Sequence, residues 1–193
     1  MEKREFLRWK VPKKVKEFGP NTTKLTYKQV GDMSYKFGAA LREIGGCVPS
    51  PLTTTLDKVT TPGCRMAIFE NTCTEWLISA LGATTQSVTV VTVYATLGLD
   101  AVIEAINDNL CKVIVCNKCN VMNLFEKCDK MPTLTTIVYT NDMVSKECDY
   151  ALPKPSKTDN DLNILSFDEF IALGDTSKYP PTPPTPTTTS TVM

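Results

Sequence analysis

Apolar positions along this chain switch between two rhythms. Val30, Met33, Phe37, Leu41 and Ile44 recur at helical spacing, so one face of that segment is apolar and must pack on something. Thr26 and Gln29 form a capping box ahead of it, and Gly45-Gly46 stops it. Residues 64–69 then read as a short, continuously apolar strand. Thr72 and Glu75 make a second capping box, and Trp76, Leu77, Ala80, Leu81 and Thr84 share one side of the helix that follows. Residues 88–93 are β-branched throughout, the strongest strand signal in the chain. Ala101, Val102, Ala105 and Ile106 face one way on a short helix starting near Asp100. Residues 111–116 are the next strand, Asn120 caps a helix bearing Met122, Phe125 and Cys128, and residues 134–139 return to strand.

From 64 to 139 strands and helices therefore alternate with short connections. The strands are apolar throughout rather than every second residue, which marks burial on both faces. The prediction is an α/β fold: a parallel, doubly wound sheet of four or five strands with helices on both faces and right-handed crossovers. Residues 163–166 supply a further short strand, and Ser166 with Glu169 caps a helix through Phe170, Ile171 and Leu173 to Gly174.

Three stretches stand outside this core. Residues 1–24, basic and carrying Gly19-Pro20-Asn21, read as an irregular leading segment. Residues 47–63, with three prolines and five threonines, read as a loop insertion, and 141–161 as a surface loop. Residues 175–193 form a Pro/Thr-rich connector that favours extended conformations and has no core to join. The domain reading is thus 1–24, an α/β subdomain over 25–174, and the connector.

Composition narrows the chemistry. The 193 residues include 21 Lys+Arg and 21 Asp+Glu, a balance that argues against a polybasic nucleic-acid binder. The charge is polarised, however: residues 1–42 carry 11 basic and 4 acidic side chains. The stretch from Arg8 to Lys16 suits contact with an anionic membrane surface, or simply a solvated segment broken by Pro12. Histidine is absent, which removes a histidine general base and every imidazole-dependent metal site within these residues. No apolar run approaches the roughly 18 residues of a membrane span, and the start is charged rather than signal-like. The expected location is intracellular, either cytoplasmic or at the periphery of an organelle membrane.

Eight cysteines stand at 47, 64, 73, 111, 116, 119, 128 and 148. With no export signal the compartment is expected to be reducing, so a disulfide framework is not expected. Cys116 and Cys119 form a CxxC pair flanked by Cys111 and Cys128, which admits a metal or redox module; the competing reading is that several are small core residues.

Ligands of such sheets bind beyond the carboxyl ends of the strands. No GxGxxG or GxxxxGK[ST] follows any strand here. Phe69 leads into Glu70-Asn71-Thr72, whose acidic neighbours favour helix capping over anion binding. The most site-like piece is Tyr94 to Gly98, an aromatic, a hydroxyl and a glycine at a strand end; alternatively it is a plain connection in which Gly98 serves the backbone.

Residues 25–45 (LTYKQVGDMSYKFGAALREIG), 64–98 (with Asn71, Glu75-Trp76 and the Tyr94-Ala95-Thr96-Leu97-Gly98 element) and 110–116 (LCKVIVC) together resemble the N-terminal region of long-chain fatty acyl-CoA synthetases, members of the adenylate-forming, AMP-binding superfamily. The likeness covers most of residues 22–140, and Thr191-Val192-Met193 looks like the start of the strand before the family's ATP phosphate loop. The resemblance implies an incomplete N-terminal subdomain of that fold, ending just before the ATP loop. For the whole synthetase it implies that a fatty acid attacks ATP to give an acyl-adenylate, which CoA then intercepts, with Mg2+ assisting. The family's phosphate loop and its adenine, ribose, magnesium and catalytic-lysine motifs have no counterparts here. No catalytic, cofactor-binding, substrate-binding or metal-ligating residue is therefore assigned in residues 1–193. The isolated chain is expected to bind no ATP, Mg2+ or CoA and to be inactive, with the rest of the synthetase as its partner. The alternatives are a non-catalytic interaction or dimerisation domain, or the cysteine module.

Overall fold

Each apolar run becomes an element of one sheet or of the helices that cover it. In chain order these are β1 (Glu5–Lys14), β2 (Glu17–Thr26), α1 (Tyr27–Glu43), β3 (Arg65–Phe69), α2 (Thr74–Thr85), β4 (Thr89–Thr92), α3 (Leu99–Asp108), β5 (Val113–Asn117), α4 (Val121–Phe125), β6 (Thr136–Thr140), β7 (Asn163–Ser166), α5 (Phe167–Ala172) and β8 (Thr191–Val192). The computed structural model describes residues 5–14, 17–49, 64–141, 151–152, 162–186 and 188–192. The six strands β3–β8 form one sheet in the order β7-β6-β5-β3-β4-β8. Every pairing in it is parallel. The predicted doubly wound α/β fold is thus present, with six strands rather than four or five. The extra strand, β8, is too short to carry a periodicity, and it joins the edge through backbone bonds such as Val90 N–H to the Ser190 carbonyl at 2.9 Å.

Two apolar layers flank the sheet. On one side Val30, Phe37 and Leu41 of α1, Ile78 and Ala83 of α2, and Phe167 and Phe170 of α5 pack on Met66, Ile68, Val113, Val115 and Val138. On the other, Val102, Ile103 and Ile106 of α3 and Val121 and Leu124 of α4 cover Ala67, Val91, Ile114 and Ile137. Phe37 is wholly buried, its ring 5.7 Å from that of Phe167 and 5.1 Å from that of Phe170. Helices α1 and α2 touch through glycine. A Cβ on Gly38 would stand 2.7 Å from the Gly82 carbonyl, and one on Gly82 would stand 2.7 Å from the Phe37 ring, closer than packed atoms tolerate.

The capping boxes at Thr26 and Ser166 form as predicted, with Thr26 N–H donating to Gln29 at 2.8 Å and Ser166 N–H to Glu169 at 2.8 Å. The box at Thr72 does not. Helix α2 starts one residue later, so the Trp76 N–H needs the cap and finds the Cys73 sulfur at 3.4 Å. Asn120 makes no cap bond either; it is Asn117 Oδ1 that accepts from Cys119 N–H at 3.1 Å, starting a single 3-10 turn ahead of α4. Trp76 is only half-buried against the α1 layer, less enclosed than its spacing suggests.

Two segments predicted to be irregular are ordered by backbone bonds. Within the segment 1–24 read as an irregular lead, Glu5–Lys14 pairs antiparallel with Glu17–Thr26, with Trp9 opposite Thr23 and Lys10 opposite Thr22. The Pro/Thr segment does find something to join. Its carbonyls, which proline-rich backbone leaves unpaired, accept from Gln86 Nε2 (Pro180, 3.2 Å), Ser87 Oγ (Thr182, 2.7 Å) and Thr89 Oγ1 (Thr189, 2.8 Å). Tyr179 lies under Arg42, 5.3 Å from its guanidinium carbon, and Lys178 pairs with Glu43 at 2.7 Å.

Candidate functional site

The strand order places a crevice at the carboxyl edge. After β3 the chain turns to α2 on one face; after the adjacent β5 it turns to α4 on the other. Loops that part in this way leave a gap above the strand ends, the usual ligand position in open parallel sheets. Glu70 and Asn71 follow β3, Asn117 ends β5 and leads into Lys118, and the Tyr94–Gly98 turn follows β4.

Glu70 is a carboxylate only 6% exposed. The Thr140 hydroxyl, at the end of β6, donates to its Oε2, and the Asn71 N–H donates to Oε1 at 2.7 Å. The carboxylate therefore ties β3 to β6 across the end of β5. Glu169, in the first turn of α5, has its carboxyl held below the usual range by the Ser166 hydroxyl and N–H. Burial raises the Tyr139 phenol nearby, and the Glu169 charge adds to that. Both carboxylates thus serve structural bonds. They do not fit a magnesium site, and no cluster of three or more acidic or thiol ligands forms among the described residues.

Tyr94 is 73% exposed, and Leu97 also faces solvent. The turn closes through Leu97 N–H to the Tyr94 carbonyl at 3.0 Å. Gly98 has a φ of −67° and no neighbour within reach of an added Cβ, so the reading that backbone geometry requires glycine there does not hold. The loop is an open apolar and hydroxylated lip, accessible to a ligand or to further chain. Strand β8 runs parallel to β4, with Val91 opposite Val192.

The CxxC pair is not brought together as a module. Cys116 is free and wholly buried, its thiol pushed well up by burial in the α3/α4 layer, with the Glu70 charge adding. Cys119, half-buried on the following turn, is disulfide-bonded. A different pair meets at the amino edge: Cys47 after α1 and Cys64 before β3 hydrogen-bond to each other. No spacing rule signals it, because the residues between them are loop in sequence and only the packing of α1 on the sheet brings their ends together.

The fold and the crevice define an open, doubly wound α/β domain built to present loops at one sheet edge. The profile of the family described as "AMP-binding enzyme" matches residues 10–193, and the chain belongs to that family. Among curated relatives, long chain acyl-CoA synthetase 8 of Arabidopsis thaliana is 35% identical over 78 residues, covering 40% of this chain and 11% of that protein. Fatty acyl-CoA synthetase A of Dictyostelium discoideum is 33% identical over 116 residues, 59% of this chain and 15% of the relative. The chain thus spans a small fraction of the length of the relatives it matches. Among solved structures, the A-PCP didomain of a carboxylic acid reductase from Segniliparus rugosus, in complex with AMP, aligns with a TM-score of 0.62 at 12% identity over 89% of this chain and 24% of that one. An anthranilate CoA ligase in complex with anthranoyl-AMP aligns with a TM-score of 0.58 at 16% identity, over 80% of this chain and 24% of that one. These two share the fold.

Proposed function

We propose that this chain is the N-terminal part of an ATP-dependent, AMP-forming ligase that joins long-chain fatty acids to CoA. The observation that carries the reading is the parallel sheet β7-β6-β5-β3-β4-β8 in a chain whose residues 10–193 match the AMP-binding enzyme family. Family membership and the two synthetase relatives support the chemistry and the acyl class. In that chemistry the fatty carboxylate attacks the α-phosphate of ATP, releasing pyrophosphate, and the thiol of CoA then displaces AMP. The residues here act as scaffold. The Glu70–Thr140 tie fixes the strand ends, and the exposed turn leaves room for the rest of the site. Concentrated stabilisation of charge on the phosphate needs fixed donors and a basic group, and the described loops at this edge do not assemble them.

The test is fatty-acid-dependent exchange of labelled pyrophosphate into ATP. Residues 1–193 alone should give none. A chimera in which they replace the matching region of the Dictyostelium synthetase should give exchange with long-chain acids. Exchange by the isolated chain overturns the scaffold assignment, and a chimera active only on short or aromatic acids overturns the long-chain assignment.

A further inference from the structure

The amino edge of the sheet carries a thiol cluster that the ligase reading leaves unused. Cys47 is fully buried where α1 ends, its N–H bonded to the Leu41 carbonyl at 2.9 Å. Cys64 is half-buried where β3 begins and lines a cavity of about 540 Å³ with Val48, Asn109, Leu110, Lys112 and Thr135. The two sulfurs are hydrogen-bonded, and backbone at Val48 also bonds to the Cys64 sulfur. The Lys112 ammonium sits above the same turn, bonded to the Gly46 carbonyl at 3.0 Å. Cys111 completes the cluster, wholly buried beneath Arg65, whose guanidinium holds Asn109 Oδ1 at 3.2 Å.

We propose that Cys64 is a hydroperoxide-reactive thiol and Cys47 its resolving partner, so that the pair cycles between dithiol and disulfide. The roles follow from position. Cys64 opens to the cavity, whereas Cys47 and Cys111 do not. The hydrogen bond from Cys47, then the Val48 backbone and Lys112, bring the Cys64 thiol down to about 7 against the opposing effect of burial. The same bond and burial raise Cys47, which keeps its proton, and burial pushes Cys111 up to about 12. Reactive thiols are those with thiolate character and access.

In the first step the Cys64 thiolate attacks one peroxide oxygen. The S–O bond forms, the O–O bond breaks, and the leaving oxygen takes a proton from solvent to depart as water or alcohol. Sulfur is oxidised by an electron pair and the peroxide is reduced. Cys47 sulfur then attacks the Cys64 sulfenic acid: the S–S bond forms, the S–O bond breaks, and hydroxide leaves as water with the Cys47 proton. A dithiol reductant exchanges with the disulfide and restores both thiols. The oxidised bond ties the end of α1 to the start of β3.

The experiment treats the full chain with equimolar hydrogen peroxide at neutral pH and maps cysteine states by mass spectrometry. The expected product links the Cys47 and Cys64 peptides, and dithiothreitol reverses it. Cys47→Ser should instead accumulate a dimedone-trapped sulfenic acid at Cys64. Unoxidised Cys64 should alkylate roughly fivefold faster at pH 7 than a free-cysteine standard, since the gain in thiolate is partly offset by lower nucleophilicity. Lys112→Met should slow that alkylation without altering the disulfide formed. Linkage of Cys64 to Cys111, or a Cys64 that stays a thiol in the wild-type chain, overturns the proposal.

Discussion

Gly38 of α1 lies against Gly82 of α2, so closely that neither position has room for a methyl group. The contact brings Phe37 over the crossing and lets α1 reach the sheet face shared by α2 and α5. Gly38→Ala and Gly82→Ala should each destabilise the chain by about 1–3 kcal/mol, the usual scale of overpacking, even though alanine is the better helix former. Gly31 is the control. It lies on the same helix with nothing near an added Cβ, so Gly31→Ala should stabilise by up to about 1 kcal/mol. Urea unfolding of the three variants reads the signs, and a stabilising Gly38→Ala would show that the helices do not cross this closely.

Phe37 and Trp76 should separate by burial. Phe37→Ala empties a fully enclosed site and is expected to cost about 3–5 kcal/mol. Trp76, half-buried at the margin of the same layer, should cost less, about 1–3 kcal/mol. Equal losses in thermal unfolding would mean that the indole is as enclosed as the phenyl ring.

A left-handed residue follows the cap of each of helices α1, α2 and α3: Gly46 (φ 58°), Ser87 (φ 52°) and Leu110 (φ 51°). After α3, the Cys111 N–H bonds back to the Ile106 carbonyl at 2.9 Å, which fixes the reversal into β5. Leucine is strained in that conformation, and its side chain is more than half exposed. Leu110→Gly should raise stability by about 0.5–1 kcal/mol, read as a shift of the urea midpoint at unchanged slope. A loss of stability would mean that the exposed side chain contributes more than the strain it imposes.

Thr140→Val keeps the shape at the end of β6 but removes the hydroxyl donated to Glu70. Losing a bond to a buried carboxylate should cost about 1.5–3 kcal/mol. Adding Glu70→Gln to this variant should recover part of that loss, because a neutral amide suffers less from burial. A double-mutant cycle with no coupling would remove the tie between β3 and β6.

Alkaline pH should loosen the fold through its buried thiols. Burial holds Cys111 at about 12 against the ordinary 9.0, so the unfolded chain releases this proton first. The stability it contributes is therefore complete below pH 9 and is lost as pH rises from 9 towards 12, at about 1.4 kcal/mol per pH unit while only the unfolded thiol is ionised. Cys111→Ala should flatten the pH dependence of stability in that window relative to the wild-type chain. An unchanged slope would place the thiol in contact with water.

The sequence by itself determined the alternation of parallel strands and covering helices, the capping boxes at Thr26 and Ser166, and the family likeness. These depend on local periodicity and on hydrogen bonds three residues apart, which any stretch of chain displays without its neighbours. Tertiary structure alone decided the rest. The α2 cap is Cys73 rather than Thr72, because the folded helix begins at Thr74. The β1–β2 pair is held by backbone partners that side-chain patterns do not encode; the strand at Thr191–Val192 was legible through the family likeness, but its place beside β4 was not. Gly38 and Gly82 are ordinary helix residues until α1 and α2 cross, and Cys47 meets Cys64 only because the ends of α1 and β3 converge on the amino edge. The CxxC spacing, visible in sequence, came apart for the same reason: the end of β5 buries Cys116 in the core, whereas Cys119 lies half-buried on the following turn and is disulfide-bonded.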